Sequence, residues 1–167
     1  MLVDKPKYIV PSMSDIAEVK PNGCTAMSTF SGCGGSTLGY KMAGFDVLWA
    51  NEFVEIARET YEANNPNTIV SGMDIRNIDC EDVLSVTGLK EGELDLLDGS
   101  PPCSSFSLAG SRESGWGKEK HYSGEKSQVT DDLFFEYTRF VGKLQPKVFV
   151  AENVYGLVIG KAKGYFK

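Results

Sequence analysis

Residues 24–151 alternate short strand-like runs with helix-like stretches, which predicts an α/β protein on a mainly parallel sheet with right-handed crossovers. Two further observations agree. A glycine-rich turn, Ser31-Gly32-Cys33-Gly34-Gly35-Ser36, directly follows the first strand-like run, and polar or acidic residues close the later ones. In an open α/β sheet, ligands and chemistry gather at the carboxyl ends of the strands. The chain's 167 residues suit one domain, 23–167, behind a lead-in over 1–22 with three prolines and no sustained period.

Each element has a local reason. Residues 24–30 make the first strand, and the glycine-rich turn ends it. Residues 37–43 form a short helix that stops at Gly44, a residue suited to a left-handed C-terminal stop. Residues 45–51 are a second strand running into Asn51-Glu52. Val54, Ala57 and Tyr61 then recur at helical spacing, and that helix, residues 54–64, ends before Pro66. Residues 68–70 are a third strand leading into Gly72-Met73-Asp74-Ile75, and a helix over 81–86 ends at Gly88. The fourth strand, residues 94–98, leads into Pro101-Pro102-Cys103. Residues 104–130 are rich in Ser, Gly and Lys and poor in aliphatics. So long a stretch without an element marks a functional lid or disorder. Asp131-Asp132 place acid at the start of an amphipathic helix over 133–144. Pro146 breaks it, and residues 148–151 are a fifth strand, ending in Glu152-Asn153-Val154.

Composition excludes several classes. Hydrophobic residues make up 41% and charged residues 24%, as in an ordinary globular domain. No apolar run approaches the ~20 residues that cross a bilayer, and the start lacks the apolar core of a signal peptide, so a cytoplasmic protein without membrane partners is expected. Four cysteines with no C-x-x-C pair, and one histidine, give no zinc pattern; reduced thiols and no metal are expected. The net charge is -6, yet residues 1–102 hold 7 Lys/Arg against 16 Asp/Glu and residues 103–167 hold 10 against 7. An anionic partner would meet the second segment.

Three successive strand ends carry what an adenosine-containing ligand needs. The glycine-rich turn admits close backbone approach at a helix start. Glu52 can accept hydrogen bonds from ribose hydroxyls, and Asp74 can receive an adenine amino group. Singly, the turn reads equally as one with no ligand, and each acid as a solvated surface group. Together they favour a nucleotide-like site. The glycines fit neither G-x-x-x-x-G-K-[ST] nor G-x-G-x-x-G, so a methionine-derived nucleoside such as S-adenosylmethionine, with no pyrophosphate, suits the turn better. Pro101 and Pro102 fix the backbone before Cys103, which reads either as a buried structural thiol or as a presented nucleophile. Glu152, closing the fifth strand at the same edge, is a structural acid or a proton donor beside that thiolate.

These segments together resemble the amino-terminal catalytic portion of the DNA (cytosine-5) methyltransferases. Phe30-Ser31-Gly32-Cys33-Gly34-Gly35 resembles that family's first motif, Asn51-Glu52 its second and Met73-Asp74-Ile75 its third. Gly99-Ser100-Pro101-Pro102-Cys103-Ser104-Ser105-Phe106-Ser107 resembles the catalytic Pro-Cys motif. Leu133-Phe134-Phe135-Glu136 resembles the cofactor-contacting helix, and Glu152-Asn153-Val154 the Glu-Asn-Val motif. The match spans residues 25–160 in order.

The resemblance implies a Rossmann-like S-adenosylmethionine-dependent methyltransferase fold, incomplete here with strands one to five. It also implies methyl transfer to C5 of cytosine in double-stranded DNA, in a restriction-modification setting. Phe30 would stack near the adenine, while Gly32 and Gly34 admit the methionine portion. Glu52 would hold the ribose, Asp74 the adenine amino group and Ile75 its ring, with Pro102 and Leu133 completing the pocket. Cys103 would attack C6 of a flipped cytosine while Glu152 engages N3 and the exocyclic amine. Ser104, Arg112, Lys118, Lys120 and Asn153 would meet the DNA.

The chain departs from the family pattern in two ways. The acid often found just before the first-motif Phe is replaced by Ser28-Thr29, which bears on the methionine-amine contact. The sequence also stops at Gly164-Tyr165-Phe166-Lys167, with no Gln-x-Arg-x-Arg motif and no target-recognition region. The expectation is a fragment or one half of a split enzyme, with little activity alone, completed by a second chain or by self-association. The competing expectations are a non-catalytic cofactor-binding or self-associating domain and an RNA cytosine-5 methyltransferase relative.

Overall fold

The computed structural model describes residues 10–102 and 132–153. A five-residue helix, α1 (Met13–Ala17), precedes β1 (Thr25–Thr29), α2 (Gly35–Met42), β2 (Asp46–Asn51), α3 (Glu55–Asn64) and β3 (Ile69–Ser71). A 3₁₀ turn, Ile75–Asn77, then leads to α4 (Cys80–Thr87), β4 (Leu96–Gly99), α5 (Leu133–Leu144) and β5 (Val148–Ala151). The strands form one sheet in the order β3-β2-β1-β4-β5, and every pairing is parallel. The expected α/β fold with a parallel sheet is present, and its elements lie where the sequence puts them, within a residue or two.

Strand alternation assigns the two faces of the sheet. Met27 and Leu97, paired in register, point into an apolar cluster with Trp49, Ile78, Val83 and Leu94. Leu133, Tyr137, Phe140 and Leu144 recur on one stripe of α5 and close that cluster, each nearly or fully buried. Trp49 stacks on Phe140 with centroids 5.9 Å apart. Burying side chains of this size stabilises by about 1.5–3 kcal/mol each, so α5 is fixed firmly to the strands.

The opposite face is polar where it meets α2. Ser28 and Asp98, also paired in register, are buried there against Ser36 and Tyr40. Tyr61 of α3 is fully buried and shares a 2.9 Å hydrogen bond with Thr37 of α2.

The lead-in is not without structure. Ser12 and Asp15 form a capping box that starts α1, and Ile16 is buried. The S-x-x-D spacing that announces it is visible in the sequence, but the turn is too short to show a period. The stretch expected to be a functional lid or disordered, residues 104–130, lies outside the described residues. No helix among the described residues is long and apolar enough to cross a membrane.

Candidate active site

The strand order reverses beside β1, since β2 lies on one side of it and β4 on the other. A crevice at the carboxyl end of such a switch point is the expected place for a ligand. A cavity of about 270 Å³ opens there, close to the ~300 Å³ lower end of small-molecule sites. Phe30 and Gly32 after β1, Asn51–Val54 and Ala57 after β2, and Asp74 and Ile75 after β3 line it. Ser100 and Pro102 after β4, with Leu133 at the start of α5, complete its wall. Seven of the eight residues expected to hold the cofactor are therefore brought together from five segments.

The eighth, Gly34, is not among the lining residues. It sits at the N-cap of α2 with φ 95°, and an added Cβ would lie 3.0 Å from Tyr61 Cδ2 and 3.1 Å from Asn65 Nδ2. Its glycine is required by backbone conformation and by the packing of α2 on α3.

Glu52 is held from both sides. Its carboxylate accepts from the Gly32 N–H at 2.8 Å and from the Val54 N–H at 2.7 Å, and the residue is only 8% exposed. The glycine-rich turn and the start of α3 are thus tied to one side chain, which retains lone pairs for further donors.

Asn51, visible in the sequence only as the first residue of Asn51-Glu52, stitches the strand ends together. Its Nδ2 donates to Ser71 O at 3.0 Å and Met73 O at 2.9 Å, while its own carbonyl accepts from the Ser31 N–H at 3.1 Å. Phe30 has φ 53°, the left-handed region, at the end of β1. For an aromatic residue this is strained, and such strain persists where the surroundings impose it, commonly at functional sites. Here Ser100 Oγ donates to Phe30 O at 3.1 Å and holds the turned-out backbone. No sequence signal announces that conformation.

Asp74 caps the 3₁₀ turn, accepting from Arg76 N–H at 3.0 Å, and also pairs with the Arg76 guanidinium at 2.9 Å. Arg76 reaches Asp132 as well, at 2.7 Å, so the Asp74 wall of the cavity is clamped to the head of α5. The Arg76 hydrogen bond holds the Asp132 carboxyl below its ordinary range, and that same bond pushes Arg76 higher. Arg139 of α5 donates to Ile75 O at 2.7 Å and Ile78 O at 3.1 Å, fixing Ile75 at the cavity.

Gly99 pairs with Ala151, so β4 and β5 end level. Glu152 follows β5, is exposed, and its N–H donates to Gly99 O at 3.0 Å. It stands beside the cavity's β4 wall rather than among the lining residues, and Asn153 next to it is half-buried. Cys103, Ser104, Arg112, Lys118 and Lys120 lie outside the described residues. Among the described residues no group of His, Cys, Asp and Glu could hold a metal ion.

The C-5 cytosine-specific DNA methylase family matches residues 24–167. The type II methyltransferase M.NgoPII of Neisseria gonorrhoeae is 36% identical over 143 residues, which cover 86% of this chain and 37% of that protein. M.Bsp6I of a Bacillus species is 40% identical over 132 residues, 78% of this chain and 36% of that protein. Among solved structures, a DNA modification methyltransferase encoded within an E. coli prophage superposes with TM-score 0.66 at 30% identity, covering 85% of this chain and 35% of that one. The Spodoptera frugiperda DNMT2 structure shares the fold, with TM-score 0.59 at 20% identity. The chain thus spans about a third of the length of the relatives it matches. With the strand order, the cavity and a match over nearly its whole length all in accord, this chain belongs to the C-5 cytosine-specific DNA methylase family.

Proposed function

We propose that this chain carries the cofactor site and the nucleophile of an enzyme that methylates C5 of cytosine in double-stranded DNA, with S-adenosylmethionine as donor. The observation behind this reading is one cavity lined by the ends of β1, β2, β3 and β4 and by the head of α5. Its residues suit the ligand. Phe30, Ile75 and Leu133 offer an apolar slot for a purine, Glu52 keeps acceptor capacity for ribose hydroxyls, and Asp74 can accept from an exocyclic amine. Gly32 leaves room for the methionine portion. When bound, S-adenosylmethionine supplies a methyl group activated by a sulfonium.

The protein's own steps are those that the family resemblance implies for these residues. Cys103, next in the chain after the cavity-lining Pro102, adds as thiolate to C6 of a cytosine, and electron density moves to C5. Glu152 meets N3 and the exocyclic amine and steadies the proton at N3. After C5 has taken the methyl group its proton passes to solvent, the C6–S bond breaks, and the free thiolate returns. The base must leave the stack to be reached. Ser104, Arg112, Lys118, Lys120 and Asn153 are assigned to the DNA.

Because the chain spans about a third of its relatives, turnover is assigned to it together with their remaining length, carried in the same polypeptide or a second one. Both faces of the edge strand β5 support this: Val148, Phe149 and Val150 are 54%, 57% and 40% exposed.

The test is titration of this chain with S-adenosylhomocysteine, followed, with the remaining length supplied in the same polypeptide or as a second chain, by transfer of labelled methyl from S-adenosylmethionine to duplex DNA and to RNA. Binding plus transfer to DNA that Cys103→Ser abolishes supports the reading. Absence of binding overturns the cofactor site. Cysteine-independent transfer overturns the mechanism, and transfer to RNA alone overturns the substrate.

A further inference from the structure

One buried carboxylate is unused by this scheme. Asp98 of β4 is 6% exposed, and its Oδ2 accepts from Ser28 Oγ at 3.1 Å and Ser36 Oγ at 2.6 Å, its Oδ1 from the Tyr40 hydroxyl at 3.0 Å. None of the ion pairs among the described residues includes it. A buried carboxylate without a cation is costly to desolvate, and hydroxyl donors offset only part of that cost. Such a group is retained for what it holds in place.

What it holds is the frame of the cavity. Ser28 is its register partner on β1, and Ser36 and Tyr40 lie one turn apart on α2. Two residues beyond Ser28 and Asp98 come Phe30 and Ser100, which line the cavity and hydrogen-bond each other. At ~3.3 Å per strand residue, the carboxylate lies about 7 Å below that rim. Burial above all, then the Asp98 charge, pushes the Tyr40 phenol up to about 12, so it stays a donor across the working pH range.

We propose, on the cofactor reading above, that Asp98 is a positioning residue of the cofactor site: its carboxylate pins α2 to β1 and β4 and so fixes the glycine-rich turn and Phe30 at the cavity. Asp98 thus brings a carboxylate to Ser28 from the neighbouring strand. Because residues 28 and 98 face each other in register, the carboxylate can be transposed between them with little change in position.

The experiment titrates S-adenosylhomocysteine into this chain as wild type, Asp98→Ser and the transposed Ser28→Asp/Asp98→Ser, with thermal unfolding of each. Asp98→Ser is expected to bind at least 10-fold more weakly, and the transposed pair to return within about 3-fold of wild type. A packing role for Asp98 would not predict that rescue. Unchanged affinity in Asp98→Ser, or weakening that the transposed pair leaves unrepaired, overturns the proposal. If Asp98→Ser does not fold, Tyr40→Phe removes one donor and keeps the carboxylate; it should weaken binding at least 3-fold, and unchanged affinity there also overturns it. Wild type that binds no S-adenosylhomocysteine overturns the cofactor reading itself, a separate failure.

Discussion

Gly99→Ala is the sharpest probe of how the ends of β4 and β5 are held level. A Cβ on Gly99 would come within 2.5 Å of Tyr137 Cδ2 and 2.6 Å of Thr29 Oγ1, and closer still to Tyr137 Cε2. Neither neighbour can retreat freely. Tyr137 is 1% exposed, and its hydroxyl donates to Leu97 O at 3.2 Å and Val150 O at 2.8 Å, bridging β4 and β5. Forcing a methyl group into a packed site costs about 1–3 kcal/mol. Loss of the bridging hydrogen bonds would add about 0.5–1.5 kcal/mol each, giving about 2–6 kcal/mol in all. At roughly 2–4 °C per kcal/mol for a domain near this size, the melting temperature should fall by about 4–24 °C. Urea unfolding checks it, as a lower midpoint at constant m. Gly142 of α5 is the control: nothing lies within 4 Å of its Cβ position, so Gly142→Ala should stabilise the helix by about 0.5–1 kcal/mol. A Gly99→Ala protein melting within about 1 °C of wild type would refute the reasoning.

Glu52→Gln keeps the shape but turns one N–H-facing oxygen into a donor; with charged hydrogen bonds worth about 1.5–3 kcal/mol, it should weaken S-adenosylhomocysteine by 10-fold or more in a titration, and equal affinity would contradict the anchoring role. Arg76 holds the folded Asp132 carboxyl below its ordinary 3.8, so the pair's contribution is complete above that value and is lost as pH falls through the lower folded one. Arg76→Ala should therefore flatten the acid limb of the melting profile, modestly because the side chains are 27% and 51% exposed, and less so in ~1 M salt; an unchanged acid limb would remove the clamp. With the remaining length of the enzyme supplied, Cys103→Ser should abolish methyl transfer while leaving S-adenosylhomocysteine affinity within about 2-fold, since on the proposed mechanism the thiol attacks the base; a comparable loss of binding would place it in the cofactor pocket instead.

Much of the fold was legible because its signals are local. Leu133, Tyr137, Phe140 and Leu144 announce α5 by spacing alone, and Gly88, with φ 72°, ends α4 as a glycine stop should. Glu52 and Asp74 were legible as strand-end residues, and the structure gathers both at the cavity. What was not legible depends on pairing across the chain. The match of Ser28 with Asp98 exists only once β1 and β4 lie side by side, 70 positions apart. Asn51 stitches strand ends through backbone carbonyls that no pattern of side chains reveals. Gly34 and Gly32 look alike in sequence, yet one lines the cavity and the other makes room for Tyr61 and Asn65. The run over 148–151 reads as a strand, but its exposure depends on what else joins the sheet.

The strand order also sets a timetable. During synthesis β1, β2 and β3 emerge first and can pair at once, building one half of the sheet with the Glu52 and Asp74 walls of the cavity. β4 follows some seconds later at ~5–20 residues per second. In that interval the free side of β1, destined for the middle, offers its unpaired amides to any passing strand. The nascent chain thus meets its greatest risk of mispairing at the centre of the finished sheet, and β4 removes that risk as it brings Asp98 to Ser28.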